Sequence, residues 1–325
     1  MQTALTLVLG VVGAGLLCFG ADYLVRGAAA LARAVGVPTL VIGLTVVAFG
    51  TSAPELVVSI DAASRGADEI SIGNVVGSNI CNIALILGVS ALVRPLPVNK
   101  SLFKLDMPMM IGSSLLLLLW GVLRGGVSSV AGLVFCVLLV AYLVRRFYDA
   151  RHDPAEAAAI AAEAEEARPM RWYLAAPLTV LALAMLILGG KLFVNGAVEA
   201  ARLLKVSEAV IGLTVVALGT SLPELATGVA AARRGECDIA VGNVVGSNIF
   251  NILCILGISP LVSPLRSGKV THVDFGMMVF CSLLLYVLMR SGKSISRRGG
   301  ALLVAIYILY VAKLVLCPEL GGVWK

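Results

Sequence analysis

The chain has 325 residues, 59% of them apolar and only 14% charged, where soluble proteins carry about 25% charged residues. A mean hydropathy of +1.00 excludes a water-soluble globule, which would expose more apolar surface than a monomer tolerates, and it excludes disorder, collagen and coiled coil as well. The net charge of +6 does not point to nucleic acid, because Lys and Arg stand in short clusters between long apolar runs, as in cytoplasmic membrane loops.

Apolar runs of about 20 residues cross the hydrocarbon core as helices. Ten are predicted, at 4–32, 39–63, 70–93, 105–123, 127–146, 172–202, 208–232, 239–262, 273–290 and 300–316. The expected fold is an all-α polytopic membrane protein. The first run has no basic segment ahead of it and reads as a retained helix, not a cleaved signal. The polar stretch 147–171 contains AEAAAIAAEAEEA and is expected to form a short cytoplasmic linker helix. The seven cysteines, Cys18, Cys81, Cys136, Cys237, Cys254, Cys281 and Cys317, form no CxxC pair and read as small core residues.

Counting Lys and Arg at the span ends gives the orientation. One set of loops carries Arg33; Arg94, Lys100 and Lys104; Arg145, Arg146, Arg151, Arg168 and Arg171; Arg233 and Arg234; and Arg290, Lys293, Arg297 and Arg298. The opposite set has Arg65, Arg124, Arg202, Lys205, Arg266, Lys269 and Lys325. The richer side, with 147–171, is expected to be cytoplasmic and both termini outside, in a membrane read as a prokaryotic inner membrane.

The chain also aligns with itself. Residues 43–60 (GLTVVAFGTSAPELVVSI) match 212–229 (GLTVVALGTSLPELATGV) at 12 of 18 positions, at an offset of 169. Residues 73–96 match 242–265 at 18 of 24 positions, at the same offset. A duplicated unit of five spans must insert its second copy upside down. This predicts an inverted repeat about a pseudo-two-fold axis in the membrane plane, the architecture of secondary transporters. The expected divisions are 1–146, the linker 147–171, and 172–325.

Each copy breaks an apolar helix with the same polar residues, Gly50-Thr51-Ser52-Ala53-Pro54-Glu55 and Gly219-Thr220-Ser221-Leu222-Pro223-Glu224. Proline supplies no N–H to the carbonyl four residues back, so the carbonyls of Gly50 and Gly219 are expected to leave the helix ladder, with those of Ala48 and Ala217 beside them. Such backbone persists in a bilayer only where it is buried in protein or lines a polar cavity. Glu55 and Glu224 lie near mid-span, where an ionised residue costs roughly 2.5–3.5 kcal/mol. A second motif, read as another helix break, supplies Ser78 and Asn82 in one copy and Ser247 and Asn251 in the other, four residues apart on one helical face. An all-oxygen pocket selects hard cations, calcium above all. His152 and His272 are expected in or near loops, which leaves zinc and copper without ligands.

These paired GTSxPEL and GNVVGSNIxNI segments, in order and in both halves, resemble the sodium/calcium exchangers of the cation/calcium antiporter superfamily. The resemblance covers the whole ten-span layout. It implies an ion site of Glu55, Thr51, Ser52, Ser78 and Asn82 with Glu224, Thr220, Ser221, Ser247 and Asn251, assisted by the Ala48 and Ala217 carbonyls. Some members carry Asp where this chain has Asn251, so the pocket here holds two acids. The implied activity is export of calcium against sodium entry, with lipid and the two ions as partners and no cofactor. The first and sixth spans, which lack the broken motifs, are expected to slide past the other eight.

Other roles fall to the neighbouring polar residues. Asn74, Asn79, Asn243 and Asn248 read as interhelical hydrogen-bonding groups. Asp22 and Arg26 read as an i,i+4 pair, with Lys191 at the Asp22 position of the second half. Glu69 and Asp238 read as helix N-terminal caps. An intramembrane hydrolase lacks a transmembrane histidine or paired aspartates, and paired proline breaks around carboxylates favour occluded binding over an open channel. A proton/calcium exchanger using the same two glutamates remains the alternative, since carboxylates in a dry pocket can also load protons.

Overall fold

The computed structural model describes residues 2–152, 170–204, 217–292 and 294–316. Its helices are α1 (Gln2–Val35), α2 (Thr39–Thr51), α3 (Ala53–Ser64), α4 (Asp68–Val93), α5 (Asp106–Arg124), α6 (Ser129–His152), α7 (Trp172–Leu203), α8 (Leu222–Arg234), α9 (Cys237–Val262), α10 (His272–Gly292) and α11 (Arg297–Leu316). Among the described residues seven helices are long and apolar enough to cross a bilayer, and α2 with α3 makes an eighth as one span bent by 45°. The chain is an all-helical polytopic membrane protein. Most of the predicted linker and the first part of the predicted 208–232 span lie outside the described residues, as does Cys317.

Burial sorts the helices. The most apolar stretch of α9 is 100% buried and that of α4 78%, against 28% for α1 and for α7. The centre therefore consists of α4 and α9, the helices that carry the Ser/Asn motifs, and α1 and α7 lie at the rim. There they pack against each other along their length through glycines. A Cβ on Gly13 would fall 2.5 Å from the Phe193 amide nitrogen, and one on Gly10 2.9 Å from the Gly196 Cα. Small residues at such crossings let transmembrane backbones approach closely.

Contacts between the halves repeat with the spacing of the duplication. Gly10 meets Gly196, and their images Gly27 and Thr179 meet each other. The strand β1 (Leu96–Pro97) pairs with β4 (Ser294–Ile295), and β2 (Gly126–Val127) pairs with β3 (Leu265–Arg266), both antiparallel. These pairings join the 94–104 loop to the loop before α11, and the loop after α5 to the loop before α10. They sort these loops into the same two groups as the Lys/Arg count.

Several details differ from the sequence reading. The second motif is no break: each helix continues through it and widens into a π-helical segment, Cys81–Leu87 in α4 and Asn251–Ile255 in α9, because neither motif contains proline. Helix α6 runs six residues into the expected linker, to His152. Arg146, counted with the cytoplasmic loops, is buried beside Asp106, with Nε 3.5 Å from Oδ1. Cys18 is exposed on α1, whereas Cys81, Cys237, Cys254 and Cys281 are buried. Glu69 and Asp238 occupy first turns, but the N-cap positions are Ala67 and Glu236 and neither makes a side-chain cap bond. Both acids lie at the positive end of the helix dipole, where a negative charge is favoured.

Candidate functional site

Proline sets the geometry of the first break. Helix α2 winds through a π segment at Gly43–Val47 and ends at Thr51, and Ser52 (φ −81°, ψ 4°) turns the chain into α3, with Pro54 in its first turn. Proline is tolerated there because the first N–H groups of a helix have no intrahelical acceptor. In the second half Ser221 (φ −90°, ψ 7°) and Pro223 repeat the turn ahead of α8. Each glutamate thus sits in the first turn of a new helix, at the positive end of its dipole, where an anion is favoured.

The two breaks meet face to face. Glu55 is 1% exposed and Glu224 0%. Ser52 Oγ donates to Glu224 Oε1 at 3.1 Å, and Ser221 Oγ donates to Glu55 Oε1 at 3.2 Å. Thr51 and Thr220 stand beside the same carboxylates, again each against the glutamate of the opposite half. Thr51 Oγ1 also donates to Asn243 Oδ1 at 3.0 Å. Asn74 ties the first break to α4, donating from Nδ2 to the Glu55 carbonyl at 3.2 Å and to Ser59 Oγ at 2.9 Å.

The central helices add the remaining groups. Ser78, Asn82, Ser247 and Asn251 are buried. Ser247 Oγ reaches the Ala48 carbonyl at 3.5 Å, which the backbone nitrogen of Ser52 also approaches, at 3.0 Å. The Ala48 carbonyl was expected to leave the ladder. It stays on it, since the helix runs unbroken to Thr51 and the lost donor, Pro54, would have served Gly50. Ala217 begins a short helical turn, Ala217–Gly219, ahead of the second break.

Several buried oxygens in this cluster have no protein partner. They are Glu55 Oε2, Glu224 Oε2, Asn82 Oδ1 and Asn251 Oδ1. A buried polar atom left unpaired costs about 1–3 kcal/mol, so unpaired oxygens on two facing carboxylates, with further unpaired amide oxygens on the helices packed against them, fit a cation as cargo. Among the described residues no cluster of three or more His, Cys, Asp and Glu side chains occurs.

Two crevices open beside α1 and α7. One, of about 420 Å³, lies between α7 and α3; it is lined by Lys191 and Val194 on one side and Pro54 and Val57 on the other, and reaches Gly219 and Thr220. The second, of about 580 Å³, is lined by Ala21 and Asp22 of α1 and by Leu222, Ala226 and Arg234 of α8. Asp22 pairs with Arg26 at 3.3 Å and also with Arg234 across that crevice. The Arg234 contact, between elements far apart in sequence, was not foreseen.

The family profile described as sodium/calcium exchanger protein matches residues 5–148 and again 174–316, once for each half. The chain belongs to the sodium/calcium exchanger family. The sodium/calcium exchanger MaX1 of Methanosarcina acetivorans is 36% identical over 344 aligned positions, covering 95% of this chain and 97% of the relative. The inner membrane protein YrbG of Escherichia coli is 36% identical over 310, covering 94% and 95%. A solved structure of the sodium-calcium exchanger NCX_Mj, soaked with sodium and calcium, superposes with a TM-score of 0.81 at 35% identity, covering 97% of this chain and 99% of that one. The chain is thus an integral membrane cation/calcium antiporter. Membership explains why the two halves match one profile separately.

Of the expected site residues the structure brings Glu55, Glu224, Thr51, Ser52, Thr220 and Ser221 together, in a crossed pattern that the sequence did not show, in which each hydroxyl serves the other half's glutamate. Sequence reasoning also passed over a buried polar group at the start of α5, where Tyr142 Oη donates to Asp106 Oδ1 at 2.9 Å. A like pair recurs 168 residues on in the second half, with Tyr310 Oη donating to Asp274 Oδ1 at 3.0 Å. The signal was present, as an acid at the start of an apolar run in both copies.

Proposed function

We propose that the chain exports calcium in exchange for sodium, binding either ion at one central site presented alternately to the two sides of a prokaryotic inner membrane. The carrying observation is the pair of buried carboxylates, each with one oxygen held by a serine of the other half and one oxygen unpaired. Calcium takes about six to eight oxygens and favours carboxylates. Glu55 and Glu224 supply the charge, while Thr51, Ser52, Ser78, Asn82, Thr220, Ser221, Ser247 and Asn251 supply neutral oxygens, with the carbonyls of Ala48 and Ala217 at the edge of the shell.

Charge balance sets what the site can carry. Two ionised glutamates are neutralised by one calcium, two sodium ions or two protons, and a third sodium would leave the loaded pocket at +1. Exchange follows from competition for the same oxygens. The halves 1–146 and 172–325, joined by 147–171, form ten spans with both termini outside. In that orientation the crevice reaching Thr220 opens outward and the one crossed by Asp22 and Arg234 is the closed cytoplasmic path. Sliding of α1 and α7 across their glycine-lined seam would exchange the two.

Calcium uptake into proteoliposomes under separately imposed sodium and proton gradients tests this reading. Uptake driven by a sodium gradient at constant pH supports it. Uptake driven by protons alone, with no response to sodium over a wide pH range, replaces it with proton/calcium exchange at the same glutamates.

A further inference from the structure

Asn79 and Asn251 lie on different central helices, α4 and α9, and both are fully buried. Asn251 Nδ2 donates to Asn79 Oδ1 at 2.9 Å. Asn79 Nδ2 in turn donates to the backbone carbonyl of Asn248 at 3.3 Å and lies 3.8 Å from the Met278 sulfur. The two ends of an amide look alike in shape, so which end faces where must follow from the partners. Here the partners decide it, because a backbone carbonyl can only accept. Asn248 therefore fixes the Asn79 amino group, the Asn79 oxygen must face Asn251, and only the Asn251 amino group can answer it. That leaves Asn251 Oδ1 as the free end, buried and without a partner.

The other half lacks this arrangement. Asn248, the image of Asn79, spends its Nδ2 on the Val244 carbonyl at 2.7 Å, and neither end of the Asn82 amide has a partner. One site amide is thus held in a single orientation and its image is not.

We propose that Asn79 is a positioning residue for cation binding: it turns the Asn251 amide so that its oxygen, not its amino group, faces the ion. This rests on the reading of the central cluster as the ion site. It follows that Asn79 also selects what can occupy position 251. A carboxylate there would present an oxygen to Asn79 Oδ1, acceptor against acceptor, and Asn79 cannot flip without turning its own oxygen onto the Asn248 carbonyl.

The test is a double-mutant cycle in proteoliposomes, measuring half-saturating calcium and maximal exchange rate. Asn79→Ala alone should raise half-saturating calcium roughly three- to tenfold, the effect of losing one or two hydrogen bonds, with a smaller change in maximal rate. Asn251→Asp alone should also weaken calcium binding. In the Asn251→Asp background, Asn79→Ala should improve it, reversing the sign of its effect. A side chain that only supports packing would cost the same factor in both backgrounds, and that result overturns the proposal, as does an Asn251→Asp protein that matches wild type. Asn79→Ser, which keeps a donor for the Asn248 carbonyl, carries the same cycle if the alanine variant does not fold. Glu224→Gln is run alongside. If it still exchanges calcium, the reading of the site has failed; if it is inactive and no sign reversal is seen, the role of Asn79 alone has failed.

Discussion

Ser114 and Ser282 touch, their hydroxyl oxygens 3.4 Å apart, and each is the other's image in the internal duplication once the stretch from Val262 to Asp274, one residue shorter than that from Val93 to Asp106, moves the offset from 169 to 168. A pseudo-two-fold axis passes between them. Each hydroxyl also donates to the carbonyl four residues back, Ser114 to Met110 at 2.8 Å and Ser282 to Met278 at 3.0 Å. The two halves share this arrangement but differ in detail, as in the bonds of Asn79 and Asn248, and this frames the expected behaviour of paired variants.

Glu55→Gln and Glu224→Gln should each reduce calcium exchange by roughly 100-fold or more, as when one partner of a buried charge interaction is removed. Both should insert and remain monodisperse in detergent, because a neutral amide costs less to bury than a carboxylate. Near wild-type calcium flux from either variant would remove that glutamate from the site.

Ser52→Ala should weaken calcium binding through Glu224, and Ser221→Ala through Glu55. Each loses one hydrogen bond to a charged group, a loss of roughly tenfold in half-saturating calcium. In the background of Glu224→Gln, Ser52→Ala should cost less than it does in wild type, while Ser221→Ala should cost the same factor as in wild type. Isothermal titration with calcium would show whether the crossed dependence holds.

Gly13→Ala places a methyl 2.5 Å from the Phe193 amide nitrogen, which overpacks the α1–α7 seam at a cost of about 1–3 kcal/mol. If that seam slides during transport, turnover should fall while half-saturating calcium holds near wild type. A raised half-saturating calcium with unchanged turnover would argue that the seam is static.

Asp106→Ala removes the acceptor of the buried Tyr142 hydroxyl and one charged partner of the buried Arg146. It should destabilise the protein by about 3–5 kcal/mol, read as a lower unfolding temperature in detergent. Asp274→Ala should cost less: Lys313 is 4.0 Å from Asp274 and its side chain is 26% exposed.

Single cysteines at Arg65 or Arg124 in a cysteine-free background should react with an impermeant thiol reagent applied outside intact cells, and cysteines between 153 and 169 should not. Labelling of that segment from outside would invert the assigned orientation.

The helices and the central cluster were legible because lipid penalises what does not belong in it. Proline, glutamate and asparagine inside apolar runs each demand a reason, and their recurrence 169 positions later left few readings. The crossed Ser52–Glu224 pairing was not legible, because an internal alignment relates each residue to its image and says nothing of which half it touches. The burial of Arg146 was not legible, because hydropathy sees a basic residue at the end of a run and cannot see Asp106 one helix away. The π segments escaped for a different reason: they replace one hydrogen-bonding register with another and leave no mark in composition.

The crossing of hydroxyls and carboxylates also bears on how such a chain can arise and be taken apart. Because each glutamate is completed by a serine of the opposite half, neither half expressed as its own polypeptide would hold a finished site. Two such polypeptides would regain one only by assembling in opposite membrane orientations. A single-unit precursor would therefore have needed dual topology, with copies inserted both ways and pairing as homodimers. Fusion through a linker that stays on one side then freezes that antiparallel pairing into one chain, and frees the two copies to diverge, as Asn79 and Asn248 have done in the bonds they make.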